Sequence, residues 1–342
     1  MMTGPIPPPT GGVSIHIWRL YHLLKDDFDI QFVDEFKIPK KEYFSIHSFN
    51  LFKYVSIMRN CDLAFVHSGT NTLRIFHTIV AKILGRKVIM TIHAYPRKYQ
   101  FLARKIQEMV FALADKIIVV NADFKERVKL PQDKVIVKHA FLPPIMDEEK
   151  ELPALIQQWI TKSRNDGAVI ICSNAWRLDK WKNQDLYGVD MCIEATRRMI
   201  KKGLSVKFIF NVATTDRTEP LYETYKQQIR DAGLENVFHL ANEELSFVKL
   251  MQQSDLVVRP TNTDGDSLSI REALYLGKPI ITSDVVKRPE GSVLHKNRDV
   301  EDFEKKIIES INKKNGLQNF NGKHQDLSDY TFYKDLLMNL FK

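Results

Sequence analysis

RPTNTDGDSLSIREALYLGKPIITSD, Arg259 to Asp284, is the stretch that decides how the chain is read. Its first residues, Thr261-Asn262-Thr263-Asp264-Gly265-Asp266, are turn formers and read as a loop. Ser267 suits an N-cap, and Leu268, Ile270, Glu272, Ala273 and Leu274 supply helical periodicity up to Gly277, which suits a helix stop. Pro279 to Thr282 reads as a buried strand. The loop therefore feeds a helix N-terminus, whose backbone N–H groups suit phosphate. Asp264 and Glu272 flank that N-terminus, eight residues apart, and carboxylates accept hydrogen bonds from hydroxyls. A ligand with phosphate in its middle and hydroxyls at both ends fits.

Outward from this stretch, strand-like and helix-like runs alternate on both sides. Before it, Asp29–Val33, Asp62–His67, Lys87–His93, Lys116–Asn121 and Lys134–His139 read as strands. Asn50–Asn60, Thr70–Leu84, Arg97–Ala114 and Ala122–Leu130 read as helices between them. Continuous apolar runs such as VIMTI and IIVV suit parallel strands buried on both faces. Phe141 to Ala154 is Pro-rich and acidic and reads as a linker. A second alternation follows, with strands at Ala168–Ser173, Ser205–Asn211, Asn236–Ala241, Asp255–Arg259 and Pro279–Ser283. Its helices fall at Asp190–Lys202, Pro220–Ala232, Glu244–Gln253, Ser267–Leu276 and Val300–Lys313. The expectation is α/β: two Rossmann-like parallel-sheet domains, 1–145 and 154–325. The apolar spacing in DYTFYKDLLMNLFK makes 326–342 a terminal helix.

The central stretch resembles the Glu–seven residues–Glu region of the retaining GT-B glycosyltransferases, family 4 in particular. The usual pattern is Glu-Gly-Phe-Gly-Leu, three residues, Glu-Ala, then a Gly-Lys-Pro turn into a strand. The same slots hold Asp264, Gly265, Asp266, Ser267, Leu268, then Glu272-Ala273 and Gly277-Lys278-Pro279. The version DGDSLSIREAL is most similar to a capsule or surface-polysaccharide subgroup. Asp264 departs by one methylene from Glu, and Asp266 stands where Phe is usual. The run Ser173 to Ala195 resembles the family's diphosphate-gripping stretch through Arg177-Leu178, Gly188, Asp190 and Ile193-Glu194-Ala195. Tyr187 occupies the place of the family's lysine, and Lys182 or Lys180 is the candidate replacement cation. GPIPPPTGGVSIH resembles the family's glycine loop, which makes Gly11 and Gly12 an acceptor or phosphate loop.

What the resemblance implies is transfer of a sugar from a nucleoside diphosphate sugar to a saccharide or polyprenyl-linked acceptor, with retention at the anomeric carbon. Arg177, Lys182, Gly265, Asp266, Ser267 and Leu268 would meet the donor, Glu272 its ribose and Asp264 its sugar hydroxyls. His93, at the end of VIMTIH, would lie against the transferred sugar. The resemblance to GT-B enzymes also implies that the two domains face a cleft and that the helix 326–342 crosses back onto the N-terminal domain. No cofactor or metal is implied. A nucleotide-sugar epimerase on the same fold and a non-enzymatic nucleic-acid- or lipid-binding protein are the alternatives.

Composition narrows these. The 342 residues are 44% hydrophobic and 27% charged, those of a globular chain rather than a disordered one. Residues 1–150 carry 22 Lys and Arg against 15 Asp and Glu, and the remainder 28 against 27, so nearly all of the net +8 lies in the first half. A nucleic-acid binder would need basic residues on both halves, so nucleic acid is not an expected partner. In Arg97-Lys98-Tyr99-Gln100-Phe101-Leu102-Ala103-Arg104-Lys105, the four cations and two aromatics suit an anionic membrane surface. A solvated helix face is the alternative. The expected compartment is the cytoplasm, including the inner face of the plasma membrane, and Cys61, Cys172 and Cys192 read as buried thiols. His16, His67, His139, His239 and His295 show no paired spacing and are assigned to no metal. No Gly-x-Gly-x-x-Gly follows a strand, which disfavours a dinucleotide oxidoreductase. Only Met1, Met2 and Thr3 precede the glycine loop, so the first strand reads as truncated, through a late start or a shortened gene, and the N-terminal domain as the less stable.

Overall fold

The computed structural model describes all residues except 9–10, 94–100, 121–124, 127–128, 214–218, 243, 266, 315–327 and 342. The chain divides into two compact units. One holds Met1–Leu142 and the C-terminal helix; the other begins at Pro143.

The first unit is a seven-stranded parallel sheet. Its strands are β1 (Met2–Gly4), β2 (Phe32–Asp34), β3 (Phe44–Ser45), β4 (Leu63–Val66), β5 (Lys87–Ile92), β6 (Lys116–Val119) and β7 (Val135–Val137). Their spatial order is β3-β2-β1-β4-β5-β6-β7. Helices α1 (Gly12–Leu24), α2 (Leu51–Arg59), α3 (Asn71–Ile83) and α4 (Phe101–Phe111) connect them. The strands alternate their contacts, as a pleat requires. Phe65, Ile89 and Ile118 pack with Ile17, Leu20 and Leu24 of α1 on one face. Ala64, Val66, Val88 and Met90 pack with Tyr54, Met58, Ala81 and Phe111 on the other.

The first strand, read from the sequence as truncated, is short: three residues, where about five are usual. They are all buried and pair with β2 on one side and β4 on the other. Gly4 ends the strand at φ +151, a conformation L side chains rarely adopt, and a Cβ there would stand 2.4 Å from Ile17 Cδ1.

The second unit is a six-stranded parallel sheet, ordered β12-β11-β8-β13-β14-β15. Its strands are β8 (Val169–Ala175), β11 (Val206–Val212), β12 (Phe238–Ala241), β13 (Leu256–Arg259), β14 (Ile280–Ser283) and β15 (Val293–His295). A separate antiparallel hairpin, β9 (Lys180–Trp181) and β10 (Gln184–Asp185), follows β8. The helices are α5 (Ala154–Asn165), α6 (Val189–Lys201), α7 (Glu219–Asp231), α8 (Phe247–Gln252), α9 (Leu268–Tyr275) and α10 (Val300–Lys314). Helices α6, α7 and α10 cover one face of the sheet, and α5, α8 and α9 the other. Helix α5 occupies 154–165, a segment the sequence reading left unassigned between linker and strand.

The C-terminal helix α11 (Ser328–Met338) rejoins the first unit. Tyr333 and Leu337 are buried with Leu20 and Leu24 of α1, Lys138 pairs with Asp329 at 2.5 Å, and Lys334 with Asp27 at 2.6 Å. All three cysteines are free thiols, Cys172 and Cys192 buried and Cys61 half-buried. Among the described residues no helix is long and apolar enough to cross a membrane.

Candidate functional site

In an open parallel sheet, ligands bind beyond the carboxyl ends of the strands, where the strand order reverses. In the second unit that point lies between β8 and β13, which pair through Leu256–Ile171 and Val257–Cys172. The two segments leaving these strands are the hairpin segment that follows Arg177 and the loop from Arg259 to Ser267. The fold joins them: Asn262 N–H donates to Leu186 O at 2.8 Å, and its side-chain amide donates to Trp181 O and Gln184 Oε1.

Gly188 makes this junction close. It stands at φ +76 before α6, and a Cβ would lie 2.4 Å from Pro260 O. Two hydrogen bonds to the buried Asp185 carboxylate, from the Tyr187 and Gly188 N–H groups, fix the turn. Burial pushes the Asp185 carboxyl up, and the hydrogen bond from Tyr225 opposes this. Arg298, two residues before α10, grips Asp190 with both terminal guanidinium nitrogens.

Asp264 is placed differently from the expectation that it meets sugar hydroxyls. Its side chain is 10% exposed. Oδ2 accepts from Arg259 Nε at 2.8 Å, Arg288 Nη1 at 2.8 Å and Thr261 Oγ1 at 3.2 Å. Oδ1 accepts from Arg259 Nη2 at 3.2 Å and from the Gly265 N–H at 3.0 Å. A carboxylate offers about four lone-pair sites, so these five donors leave none for a ligand. Burial alone would raise its pKa, but Arg259 and Arg288 outweigh burial and hold it at about 2. Asp264 is thus the clasp that shapes the loop. Arg288, 2% exposed, also donates to Ser283 O at 3.0 Å, tying the end of β14 to the same clasp.

Ser267 takes the N-cap position of α9, but its hydroxyl pairs with Ser269 Oγ at 3.0 Å rather than capping a helix amide. Glu272, on the second turn of α9, is buried at 5% exposure. Leu268 begins the helix and is half-buried, while Gly265 is exposed. Asp266 lies outside the described residues.

The sequence-derived cations are more peripheral. Arg177 is 47% exposed and pairs with Asp179 at 3.2 Å. Lys182 forms the hairpin tip with Asn183, both at positive φ (51° and 61°), and is exposed. The cations the fold plants beside the loop are Arg259 and Arg288, which sequence reasoning did not single out. An Arg259 five residues before an Asp was a visible signal; Arg288, 24 residues beyond, was not.

In the first unit the reversal lies between β1 and β4. His93, just past β5, is half-buried there. It has two companions, His16 on α1 and His67 after β4. Burial pushes the imidazolium pKa of His16 down to about 4, and those of His67 and His93 well below the usual value. Gly11 and Gly12 stand at the head of α1, where an added Cβ would meet only Ser14 Oγ at 3.9 Å for Gly11 and nothing within 4 Å for Gly12. Among the described residues, internal packing therefore does not require glycine there. Arg97 and Lys98 lie outside the described residues. Arg104 is 42% exposed and pairs with Glu108 at 2.9 Å; Lys105 is exposed.

Comparison with known proteins adds two findings. Residues 178–313 match the family model described as Glycosyl transferases group 1. The whole chain resembles several solved structures. Anabaena HepE in complex with UDP aligns at TM-score 0.72 with 16% identity, covering 99% of this chain and 98% of that one. A glycosyltransferase from Rickettsia africae aligns at 0.68 with 13% identity, over 92% and 88%. The lipopolysaccharide outer core galactosyltransferase WaaB, in its apo form, aligns at 0.62 with 13% identity, over 99% and 98%. No curated protein sequence matches. The two parallel-sheet α/β units are those of the GT-B fold.

Proposed function

We propose that this chain is a glycosyltransferase that moves a sugar from a nucleoside diphosphate sugar to an acceptor hydroxyl, with retention at the anomeric carbon. The observation that carries the reading is the junction at the switch point of the second unit. There the loop clasped by Asp264 runs into the N-terminus of α9 inside the segment matching the group 1 family model. The N–H groups at that N-terminus and Gly265 would receive the diphosphate. Arg177, just before the hairpin, and Lys182, at its exposed tip, would close on it and offset its charge as the bond from the anomeric carbon to the leaving oxygen breaks. Glu272, one turn further along α9, would accept the ribose hydroxyls. Asp264 would act through the loop it shapes, as a positioning residue. In the first unit, His93 is the residue proposed to bind a sugar, and the open space at Gly11 and Gly12 would admit the acceptor.

The donor to test first is a uridine diphosphate sugar, because HepE forms complexes with UDP and with UDP-glucose. A surface saccharide or its polyprenyl-linked precursor is the acceptor class proposed, supported by the likeness to WaaB and by the basic first half. The basic segment around Arg104 and Lys105 would bring the enzyme to an anionic membrane on its cytoplasmic side. No cofactor enters the scheme.

The experiment is a thermal-shift screen of nucleoside diphosphates and nucleotide-sugars, followed by product analysis. A ligand at 100 times its Kd stabilises the chain by about 2.7 kcal/mol. A shift with one nucleotide series and sugar transfer to a saccharide acceptor is the expected result. No shift with any nucleotide overturns the reading, and release of a free sugar-nucleotide isomer would replace it with an epimerase.

A further inference from the structure

The three histidines of the first unit come from distant places in the chain, yet one ring nitrogen from each lies within 4.8 Å of the other two. His16 Nδ1 lies 2.7 Å from Ala140 O, so that nitrogen carries the proton and Nε2 carries the lone pair. This Nε2 is buried and, among the described residues, without a hydrogen-bond partner. The His16 and His67 side chains are almost fully buried, at 1% and 0% exposure. Buried ring nitrogens normally find partners, so the lone pair left on His16 Nε2 inside this cluster calls for an explanation.

The spacing supplies one. His67 Nδ1 and His93 Nε2 stand 3.4 Å apart. That is long for an N–H···N hydrogen bond. It is close to the roughly 3.3–3.4 Å that separates two nitrogens each 2.0–2.1 Å from a tetrahedral zinc ion. The carbonyl behind His16 is the arrangement that orients a metal-bound imidazole and fixes its tautomer.

We propose that His16, His67 and His93 form a binding site for a first-row transition-metal ion of the zinc type, with the fourth position open. Three imidazoles and no carboxylate or thiolate select zinc, cobalt, nickel or copper over magnesium and calcium, which prefer oxygen. Closing the widest nitrogen pair to tetrahedral spacing takes about 1.5 Å of combined side-chain movement, judged from the same bond lengths. The site links α1 to the ends of β4 and β5, beside the reversal of strand order, the part of an open sheet where ligands bind. Arg74, buried beside Asn71 and close enough to depress His67 and His93, favours an anion there: hydroxide, a carboxylate or a phosphate oxygen. The sequence assigned no metal to these residues because 51 and 26 positions separate them, and spacing rules work only within an element or a short loop.

One consequence rests on the function proposed above. His93 is the residue proposed there to bind a sugar, so a bound metal ion would withdraw it and suppress transfer.

The test uses the chelator-treated full chain titrated with cobalt alone, followed by zinc. Wild type is expected to take up one equivalent with the strong visible absorption of tetrahedral cobalt, which zinc then bleaches. His16→Ala and His67→Ala should each weaken uptake at least tenfold, while His22→Ala, on the same helix as His16, should leave it unchanged. Should either alanine variant fail to fold, His67→Gln is read instead, alongside the rise of the wild-type unfolding temperature with zinc. No saturable uptake by wild type, only the weak absorption of octahedral cobalt, or uptake that survives loss of His16 and His67 overturns the site. Because this readout is spectroscopic, it stands even if the chain transfers no sugar.

Discussion

Replacing Asp264 with Asn keeps its shape and removes its charge, and the structure gives the size of the effect. The carboxylate lies between Arg259, 13% exposed, and Arg288, 2% exposed. Its pKa falls from the usual 3.8 to about 2. A shift of nearly two units corresponds to about 2–3 kcal/mol of charge-dependent stabilisation. Asp264→Ala goes further, because it also strands two guanidinium groups in a tight space, and breaking a buried pair costs about 3–5 kcal/mol. For a unit of this size each kcal/mol moves Tm by about 2–4 °C, so Asp264→Asn should lower the transition of the second unit by roughly 5–10 °C. The sign with pH is fixed. The folded pKa lies below the unfolded one, so the contribution is complete above about pH 4 and is lost as pH falls through 2. The gap between wild type and Asp264→Asn should therefore narrow on acidification. The assay is calorimetric unfolding from pH 7 to pH 3, with Arg288→Met alone and in combination. The double variant should cost less than the sum of the singles, since Asp264→Asn has already removed what Arg288 pairs with. An Asp264→Asn variant within about 0.5 kcal/mol of wild type, or strictly additive singles, would refute the clasp.

Three further outcomes can be checked. Glu272→Ala should weaken nucleotide binding at least tenfold by calorimetry and abolish transfer; full donor affinity would remove Glu272 from the ribose. Gly188→Ala forces a Cβ to 2.4 Å from Pro260 O at φ +76, so it should lower Tm by an amount equivalent to about 1–3 kcal/mol, and an unchanged Tm would contradict the tight junction. Neutralising Arg97, Lys98, Arg104 and Lys105 together should weaken co-sedimentation with anionic vesicles by about 1 kcal/mol per residue that meets the surface, with no loss of activity on a soluble acceptor analogue. Unchanged sedimentation would return this segment to an ordinary solvated face.

Sequence made some features legible and hid others for physical reasons. Lys87–Ile92 and Ile280–Ser283 are strands because their apolar runs bury on both faces, and such runs announce themselves locally. The turn at Gly277-Lys278-Pro279 sits where the motif put it, between α9 and β14. The sequence reading of 180–185 yielded only a candidate cation, Lys182 or Lys180, and no hairpin. The hairpin's tip, Lys182-Asn183, carries an Asn that tolerates positive φ and could have signalled a tight two-residue turn. What the sequence could not show was partnership across distance. Asp264 looks like a short-armed glutamate ready for a sugar until Arg288, 24 residues away, folds onto it. His16, His67 and His93 look like three unrelated histidines until α1, β4 and β5 bring their rings together.

The first strand teaches the reverse lesson, about how little chain a central strand needs. Counting apolar residues before the glycine loop left too few for a strand of usual length. The hydrogen bonds count differently. On one side Met2 N–H donates to Gln31 O at 2.8 Å and Glu35 N–H to Gly4 O at 3.0 Å. On the other, Phe65 N–H donates to Met1 O and His67 N–H to Thr3 O, both at 2.9 Å, and the Met1 ammonium reaches Leu63 O, also at 2.9 Å. β2 and β4 thus find partners along β1, and the 1–3 kcal/mol that each orphaned backbone group would cost is not incurred. Beyond Gly4 the chain is held by side chains instead: Ile6 N–H donates to the buried Asp34 carboxylate at 3.0 Å, which Lys40 also meets at 2.6 Å. A three-residue strand places the glycine loop because its neighbours, already held by β3, β5 and β6, present edges that fix its register.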